Sequence, residues 1–113
     1  MSQKTKQVLR GEVYLCDLGA AVKSVQGGVR PVVIIQNNYG NRYSPTVIVA
    51  PITGKPKKQL STHVDIELVK PSIILCEQIL TIPKDHLGQK IHYMTGEELS
   101  RLDHAIAISI GLG

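Results

Sequence analysis

Short runs of β-branched and aliphatic residues, separated by glycine, proline, asparagine and serine, recur along most of this chain. Such runs predict β-strands, because branched side chains pack well on a pleated sheet. The predicted strands are residues 12–18, 31–37, 46–53, 63–68, 72–81 and 90–94. Their spacing favours a small β-barrel over a βαβ fold.

The end of the chain has a helical period instead. Thr95 followed by Glu98 is a capping-box sequence, which is typical of a helix start. Apolar residues then recur at intervals of three and four, at Leu99, Leu102, Ile106 and Ile110. We therefore expect an amphipathic helix, ended by Gly111, whose apolar stripe covers one face or mouth of the barrel.

The second and third predicted strands form a candidate β-hairpin, because residues 38–45 between them are dense in turn formers. If the hairpin closes with Asn37 opposite Thr46, antiparallel pairing keeps the sum of the partner numbers constant. Arg30 then falls opposite Thr53, at the open end of the hairpin. Directly opposed residues have Cβ atoms about 4.5–5.5 Å apart. The register therefore predicts that these two side chains are neighbours.

A guanidinium beside a hydroxyl suits the cleavage of RNA by its own 2'-hydroxyl. That reaction needs charge stabilisation on phosphate oxygens, which the planar donor fork of arginine supplies without a metal. Arg30 is the candidate for holding the phosphate and assisting the departing 5'-oxygen, and Thr53 for orienting the phosphate. The alternative is a solvated strand-end arginine and a threonine placed for its β-propensity. The residues alone favour this structural interpretation.

Composition limits the choice of partners. A chain of 113 residues is one domain's worth, and 42% hydrophobic residues without Phe or Trp imply a core of Val, Ile and Leu. The net charge of +4 suits a polyanion but is also ordinary for a soluble domain. Lys55, Lys57 and Lys58 follow Thr53, where they are placed either to bind flanking phosphates or to form a solvated loop.

Neither metal chemistry nor a membrane span is indicated. Cys16 and Cys76 have no CxxC spacing and are expected to be buried thiols. The histidines have no metal-ligand spacing, although His63 is a candidate RNA contact. The polar start and the lack of a long apolar run predict a cytoplasmic protein. We expect a flexible tail over residues 1–9, a single domain over residues 10–113 and no cofactor.

Several motifs in fixed order resemble the MazF/PemK toxins of type II toxin–antitoxin systems. They are Arg10-Gly11-Glu12-Val13-Tyr14, residues 26–37, residues 44–53, Thr62-His63-Val64 and Glu77-Gln78-Ile79. The resemblance covers nearly the whole chain after the tail. It implies a mainly β protein with α structure, a small SH3-like barrel of the CcdB/MazF type with a C-terminal helix. It also implies a homodimer with a cognate MazE-like antitoxin as partner.

The activity implied by the resemblance is that of an mRNA interferase. This is a metal-independent, sequence-specific endoribonuclease for single-stranded mRNA that leaves a 2',3'-cyclic phosphate and a 5'-hydroxyl. The catalytic arginine and threonine of the family fall on Arg30 and Thr53, the pair that the hairpin register brings together. Predicted RNA-binding residues are Ser24, Gln26, Gly27, Gly28, Lys55, Lys57, Lys58, His63 and Gln78.

The chain departs from the family pattern at three places. Val25 replaces a glutamate that many relatives carry, Leu80 replaces a basic residue, and the connection 67–71 is shorter than usual. These departures support a second hypothesis, a catalytically weakened module that still binds RNA and antitoxin. A third hypothesis is a CcdB-like toxin that targets gyrase, because a fold does not determine its target. The loop that carries Arg30 argues against it.

Overall fold

The computed structural model describes residues 7–19, 27–54 and 58–113. Its strands are β1 Glu12–Asp17, β2 Val29–Ile34, β3 Thr46–Thr53, β4 His63–Glu67, β5 Pro71–Leu75, β6 Leu80–Pro83 and β7 Leu87–Tyr93. Its α-helices are α1 Asn38–Tyr43 and α2 Gly96–Ser109, and short 3₁₀ turns cover Cys76–Gln78 and Lys84–His86. The predicted mainly β fold with a C-terminal helix is confirmed.

The strands form one curled antiparallel sheet in the order β4-β5-β3-β2-β1-β7, and β6 pairs with β3 off this path. Strand β3 is shared between two partners on one side. Its first half pairs with β6 from Thr46 to Val49, and its last two residues pair with β5. This change of partner along β3 accompanies the curl of the sheet into a half-barrel.

Side chains on the two faces of the sheet form two separate hydrophobic clusters. The cluster on the helix side, here called the helix-side cluster, includes Val33, Ala50, Ile52, Ile74 and Leu102. The opposite cluster, here called the far-side cluster, includes Tyr14, Cys16, Val32, Ile34, Val47 and Val49. Because alternate residues of β2 and β3 enter opposite clusters, these strands are buried on both faces, as their continuous apolar sequence indicates.

The C-terminal helix begins as predicted. The hydroxyl of Thr95 accepts a hydrogen bond from the Glu98 N–H, and the Glu98 carboxylate accepts one from the Thr95 N–H. Leu102 and Ala105 are buried in the helix-side cluster, with Leu99 and Ile106 packed against it. The prediction was wrong for Ile110, which is 58% exposed because α2 ends at Ser109. Gly111 follows with φ +82°, a left-handed conformation that glycine adopts at low cost.

Two predicted segments differ from the structure. The turn between the hairpin strands is the short helix α1, because the Asn37 side chain accepts a hydrogen bond from the Gly40 N–H and caps the helix. The strand predicted over residues 72–81 is interrupted by the turn at Cys76–Gln78. That interruption lets β5 and β6 pair with different halves of β3.

Both cysteines are buried and free, as predicted. Burial raises the pKa of each thiol, that of Cys76 to about 12, and the charges of Asp17 and Glu77 add to the effect. Residues 1–6 of the predicted tail lie outside the described residues, and Val8 is 4% exposed in the far-side cluster. None of the helices in the described part of the chain is long and apolar enough to cross a membrane.

Candidate active site

The hairpin register agrees with the one predicted from the sequence. The observed pairs are Val32–Pro51, Val33–Ala50 and Ile34–Val49, and in each pair the residue numbers sum to 83, as they do for Arg30 and Thr53. Alternation places Arg30 on the face of Val32 and Ile34, and Thr53 on the face of Val47 and Val49. Both residues therefore belong to the far-side face of the sheet.

The β2–β3 ladder stops before it reaches the two candidate residues. Beyond Val32–Pro51, β2 stays beside β1, where Arg30 pairs with Cys16. Strand β3 stays beside β5, where Thr53 pairs with Ile73. The predicted direct pairing of Arg30 with Thr53 is not among the observed strand pairs. The two residues instead lie where the strands exchange partners, at what is here called the open end of the hairpin.

The loop before β2 positions the Arg30 side chain. Its Nε donates a hydrogen bond of 3.0 Å to the carbonyl oxygen of Gly27, which is buried. Gly28 has φ +76° and its carbonyl accepts a hydrogen bond of 2.8 Å from the Leu18 N–H. A glycine is needed at this left-handed position, and the bond to Leu18 closes the base of the loop. Arg30 is half-buried, whereas Thr53 is 2% exposed.

Several predicted RNA-binding residues cannot be placed in this geometry. Ser24, Gln26, Lys55 and Lys57, together with Val25, lie outside the described residues. Lys58 is exposed, and Gln78 is half-buried at the end of the turn Cys76–Gln78. The assignment of these side chains to RNA binding stays a prediction.

His63 is 8% exposed and both of its ring nitrogens have partners. Nδ1 accepts a hydrogen bond from the Leu60 N–H, so Nε2 carries the proton and donates to the Glu77 carboxylate at 3.1 Å. The Thr62 hydroxyl donates to the other oxygen of Glu77. Burial alone would raise the pKa of Glu77, but hydrogen bonds from its own N–H, Thr62 and His63 outweigh it and lower that pKa. His63 therefore anchors the start of β4 to Glu77.

Sequence reasoning did not find a groove of about 780 Å³ on the helix side of the sheet. Lys70, Arg101, Asp65, Glu67, Glu98 and Gly54 contribute to its lining. A Cβ at Gly54 would clash with the Lys70 Cε, so the lysine stem covers the residue that follows Thr53. The only sequence signal was the short 67–71 connection, which carries Lys70. Strand pairing places Ile73, another lining residue, directly opposite Thr53, so the groove reaches the strand end that carries Thr53.

Within residues 7–19, 27–54 and 58–113, no three His, Cys, Asp or Glu side chains come together in an arrangement that could hold a metal ion. At the open end, the guanidinium of Arg30 and the hydroxyl of Thr53 are groups that can bind and orient an anion such as a phosphodiester.

Comparisons with known proteins give a consistent picture. Residues 9–110 match the family of PemK-like, MazF-like toxins of type II toxin–antitoxin systems. The endoribonuclease MazF of Staphylococcus saprophyticus is 52% identical over 109 residues, which is 91% of each chain. A mycobacterial endoribonuclease, solved in complex with its cognate antitoxin, is 29% identical, with a TM-score of 0.81 over 94% of this chain and 97% of that chain.

The fold extends to more distant proteins. MazF from Deinococcus radiodurans is 14% identical and superposes with a TM-score of 0.79 over 94% of this chain and 98% of its own, a similarity of fold alone. The family match and the 52% identical relative show more than a shared fold, because each match spans nearly the whole chain. Together with the fold, they establish that this chain belongs to the PemK-like, MazF-like toxin family of type II toxin–antitoxin systems.

Proposed function

We propose that the chain cleaves single-stranded mRNA at a specific sequence, using Arg30 and Thr53 and no metal ion. It is the endoribonuclease toxin of a toxin–antitoxin pair, in keeping with its family and its 52% identical relative. The observation that carries the residue assignment is the open end of the hairpin. There the two residues share one face of the sheet, at the point where β2 and β3 separate.

In the proposed reaction the 2'-oxygen forms a bond to the adjacent phosphorus and the bond from phosphorus to the 5'-oxygen breaks. The 2'-hydroxyl loses its proton and the 5'-oxygen gains one, which leaves a 2',3'-cyclic phosphate and a 5'-hydroxyl. Arg30, held through Nε by Gly27, directs its terminal N–H groups at the phosphate oxygens and stabilises their developing charge. Thr53, fixed by the pairing of β3 with β5, orients the same phosphate.

The remaining predicted residues extend this site along the RNA. Ser24, Gln26 and the Gly27-Gly28 segment would contact nucleotides beside the scissile phosphate, and the lysines at 55, 57 and 58 would contact flanking phosphates. His63 would act mainly by holding Glu77 and the neighbouring Gln78 in place. A MazE-like antitoxin, a homodimeric state and a cytoplasmic location complete the proposal. An antitoxin complex is known for the mycobacterial relative.

The test is cleavage of a long single-stranded RNA in the presence of EDTA. Wild-type protein should produce discrete fragments whose 5'-hydroxyl ends accept phosphate from polynucleotide kinase without prior phosphatase treatment. Thr53→Val keeps the shape of the side chain and should slow cleavage, and Arg30→Ala should abolish most of it. Arg101→Ala, at an exposed arginine on α2, is the matched control. A folded, dimeric wild type that leaves the RNA intact would refute the proposal.

A weakened toxin remains the second candidate, and Leu80 is the residue that favours it. Leu80 packs against the far-side cluster and pairs with Val49, so its apolar side chain has a structural use where relatives carry a cation. If cleavage is barely measurable, the double substitution Val25→Glu and Leu80→Arg should raise it. No gain in a folded double variant would reject this candidate, as would strong cleavage by the wild type.

A further inference from the structure

Helix α1 presents two aromatic rings and a cation to solvent at the closed end of the hairpin. Tyr39 is 77% exposed and Tyr43 is 64% exposed. Their ring centroids lie 4.9 Å apart at an interplanar angle of 53°, and the Arg42 guanidinium carbon lies 5.4 Å from the Tyr43 ring centroid. Arg42 makes no ion pair with the described residues, so its charge is not neutralised by a neighbouring carboxylate.

This short helix is held by an unusual number of buried polar groups. A six-residue helix is not stable alone in water. Asn41 on the inner face of α1, together with Gln36 and Lys84 beneath the helix, are 1%, 8% and 3% exposed and are here called the polar floor. A Cβ at Gly40 would lie 3.1 Å from the Gln36 side chain, so the helix packs directly on this floor.

Every member of the polar floor is hydrogen-bonded to α1 or to its flanks. The Gln36 amide donates to the Asn41 side chain and to the Thr46 carbonyl, and the Asn41 amide donates back to the Gln36 carbonyl. The Lys84 ammonium donates to the Asn41 main-chain carbonyl in the last turn of α1. A cation at this end of a helix also interacts favourably with the helix dipole. The helix is thus fixed, and its outer face is a preorganised surface.

From this geometry we propose that Tyr39, Arg42 and Tyr43 form a second contact surface for single-stranded RNA, here called the stacking platform. Exposed tyrosines stack on bases of any sequence, and an adjacent arginine binds the backbone phosphate. A stable protein interface needs roughly 1,000 Å² with an apolar centre, more than two rings and a cation offer. No carboxylate of the described residues pairs with Arg42, and this charge favours a polyanion. The platform rests on the proposed function in that the RNA it binds is also held at Arg30.

The position of the platform predicts which RNA it binds. Asn37 follows Arg30 by seven residues, so at about 3.3 Å per residue α1 lies roughly 20 Å from the open end. A short RNA held at Arg30 would not reach the platform, whereas a longer strand would. The platform should therefore strengthen binding of long RNA without altering cleavage of a minimal substrate.

The test measures binding of fluorescent 2'-O-methyl RNA, which lacks the 2'-hydroxyl nucleophile, by anisotropy. With strands of about 20 nucleotides, the double variant Tyr39→Ala and Tyr43→Ala should bind at least about tenfold more weakly. With strands of about three nucleotides, which are too short to reach the platform from Arg30, its affinity should be unchanged. Tyr39→Phe with Tyr43→Phe should retain binding, because phenyl rings also stack. Arg42→Ala should lower the number of released counterions by about one.

Tyr93→Ala is the matched control, because Tyr93 is an exposed tyrosine on β7, with 59% exposure. Equal affinity of the double alanine variant and wild type for the long strand would overturn the platform, as would equal losses for both strand lengths. A loss of antitoxin binding with unchanged RNA binding would assign the surface to a protein and also overturn it. Cleavage of a short RNA by wild type is measured separately, so a failed ribonuclease and a failed platform give different results.

Discussion

The polar side chains at the two ends of the β2–β3 hairpin differ in burial and in the number of their hydrogen bonds. At the closed end, Gln36, Asn41 and Lys84 are buried and hydrogen-bonded to one another or to nearby main-chain groups. At the open end, the ladder stops, and among the described residues the Arg30 guanidinium has one hydrogen-bond partner, the carbonyl of Gly27. The first arrangement stabilises the chain, whereas the second leaves a cation positioned for a ligand.

Under the proposed function, one hairpin supplies both a rigid frame and the site of RNA cleavage. Buried polar groups that are fully paired specify one conformation, because any alternative leaves a donor or acceptor without a partner. A half-buried guanidinium with a single anchor keeps its orientation without losing its capacity to bind an anion. Substitutions at the closed end should therefore change stability, and substitutions at the open end should change activity.

The largest effect is expected from Arg30→Ala at the open end. Removal of the charge that stabilises the transition state should lower single-turnover cleavage by about 100- to 1,000-fold. The unfolding free energy, measured in urea, should change by less than about 0.5 kcal/mol, as is usual away from packed groups. A comparable loss of stability would place Arg30 among the structural residues and remove the contrast between the two ends.

Asn41→Ala should have the converse effect at the closed end. The Asn41 side chain makes three hydrogen bonds, with Gln36 twice and with Asn38 once, while 1% exposed. Its loss should cost about 2–4 kcal/mol in urea unfolding, because the polar groups of Gln36 stay buried without a partner. Cleavage of a short RNA at a temperature where the variant is folded should stay within about twofold of wild type. Lost activity in a fully folded variant would show that the two ends are coupled.

Acid should weaken the fold through Glu12 of β1, whose side chain is 6% exposed. Burial would raise its pKa, but hydrogen bonds from the Leu9 N–H, Lys90 and Tyr14 outweigh it, so the pKa lies below the ordinary value of 4.5. The stabilisation is present above pH 4.5 and is lost as pH falls through the folded pKa. Urea unfolding between neutral and acidic pH should show this loss in wild type and a smaller one in Glu12→Gln.

The smallest effect is expected at Cys16, which pairs with Arg30 across β1 and β2. Burial in the far-side cluster raises the pKa of this thiol, so it should stay protonated and resist alkylation in the folded protein near neutral pH. Mass spectrometry after iodoacetamide treatment should show label at Cys16 and Cys76 only after unfolding. Cys16→Ala should leave cleavage within about twofold. Rapid labelling of the native protein would indicate that β1 opens at this end.

Local signals in the sequence predicted some elements well. The boundaries of β3 and the first residues of β1 and β4 were correct, because β-branched runs there end at turn formers. The capping box of α2 was correct because both of its hydrogen bonds join residues three positions apart. The helix α1 was missed, because six residues rich in Asn, Gly and Tyr have a low helix propensity and depend on Lys84 from a distant strand connection.

For the candidate site too, some features were predictable from the sequence and others were not. The sequence alone determined the hairpin register, because the number of residues between two paired strands fixes which positions oppose each other. Only the tertiary structure decided that the ladder ends before Arg30 and Thr53, since this depends on β1 and β5 competing for the same strand edges. The polar floor and the coverage of Gly54 by Lys70 were likewise decided by contacts between distant segments, which no local pattern encodes.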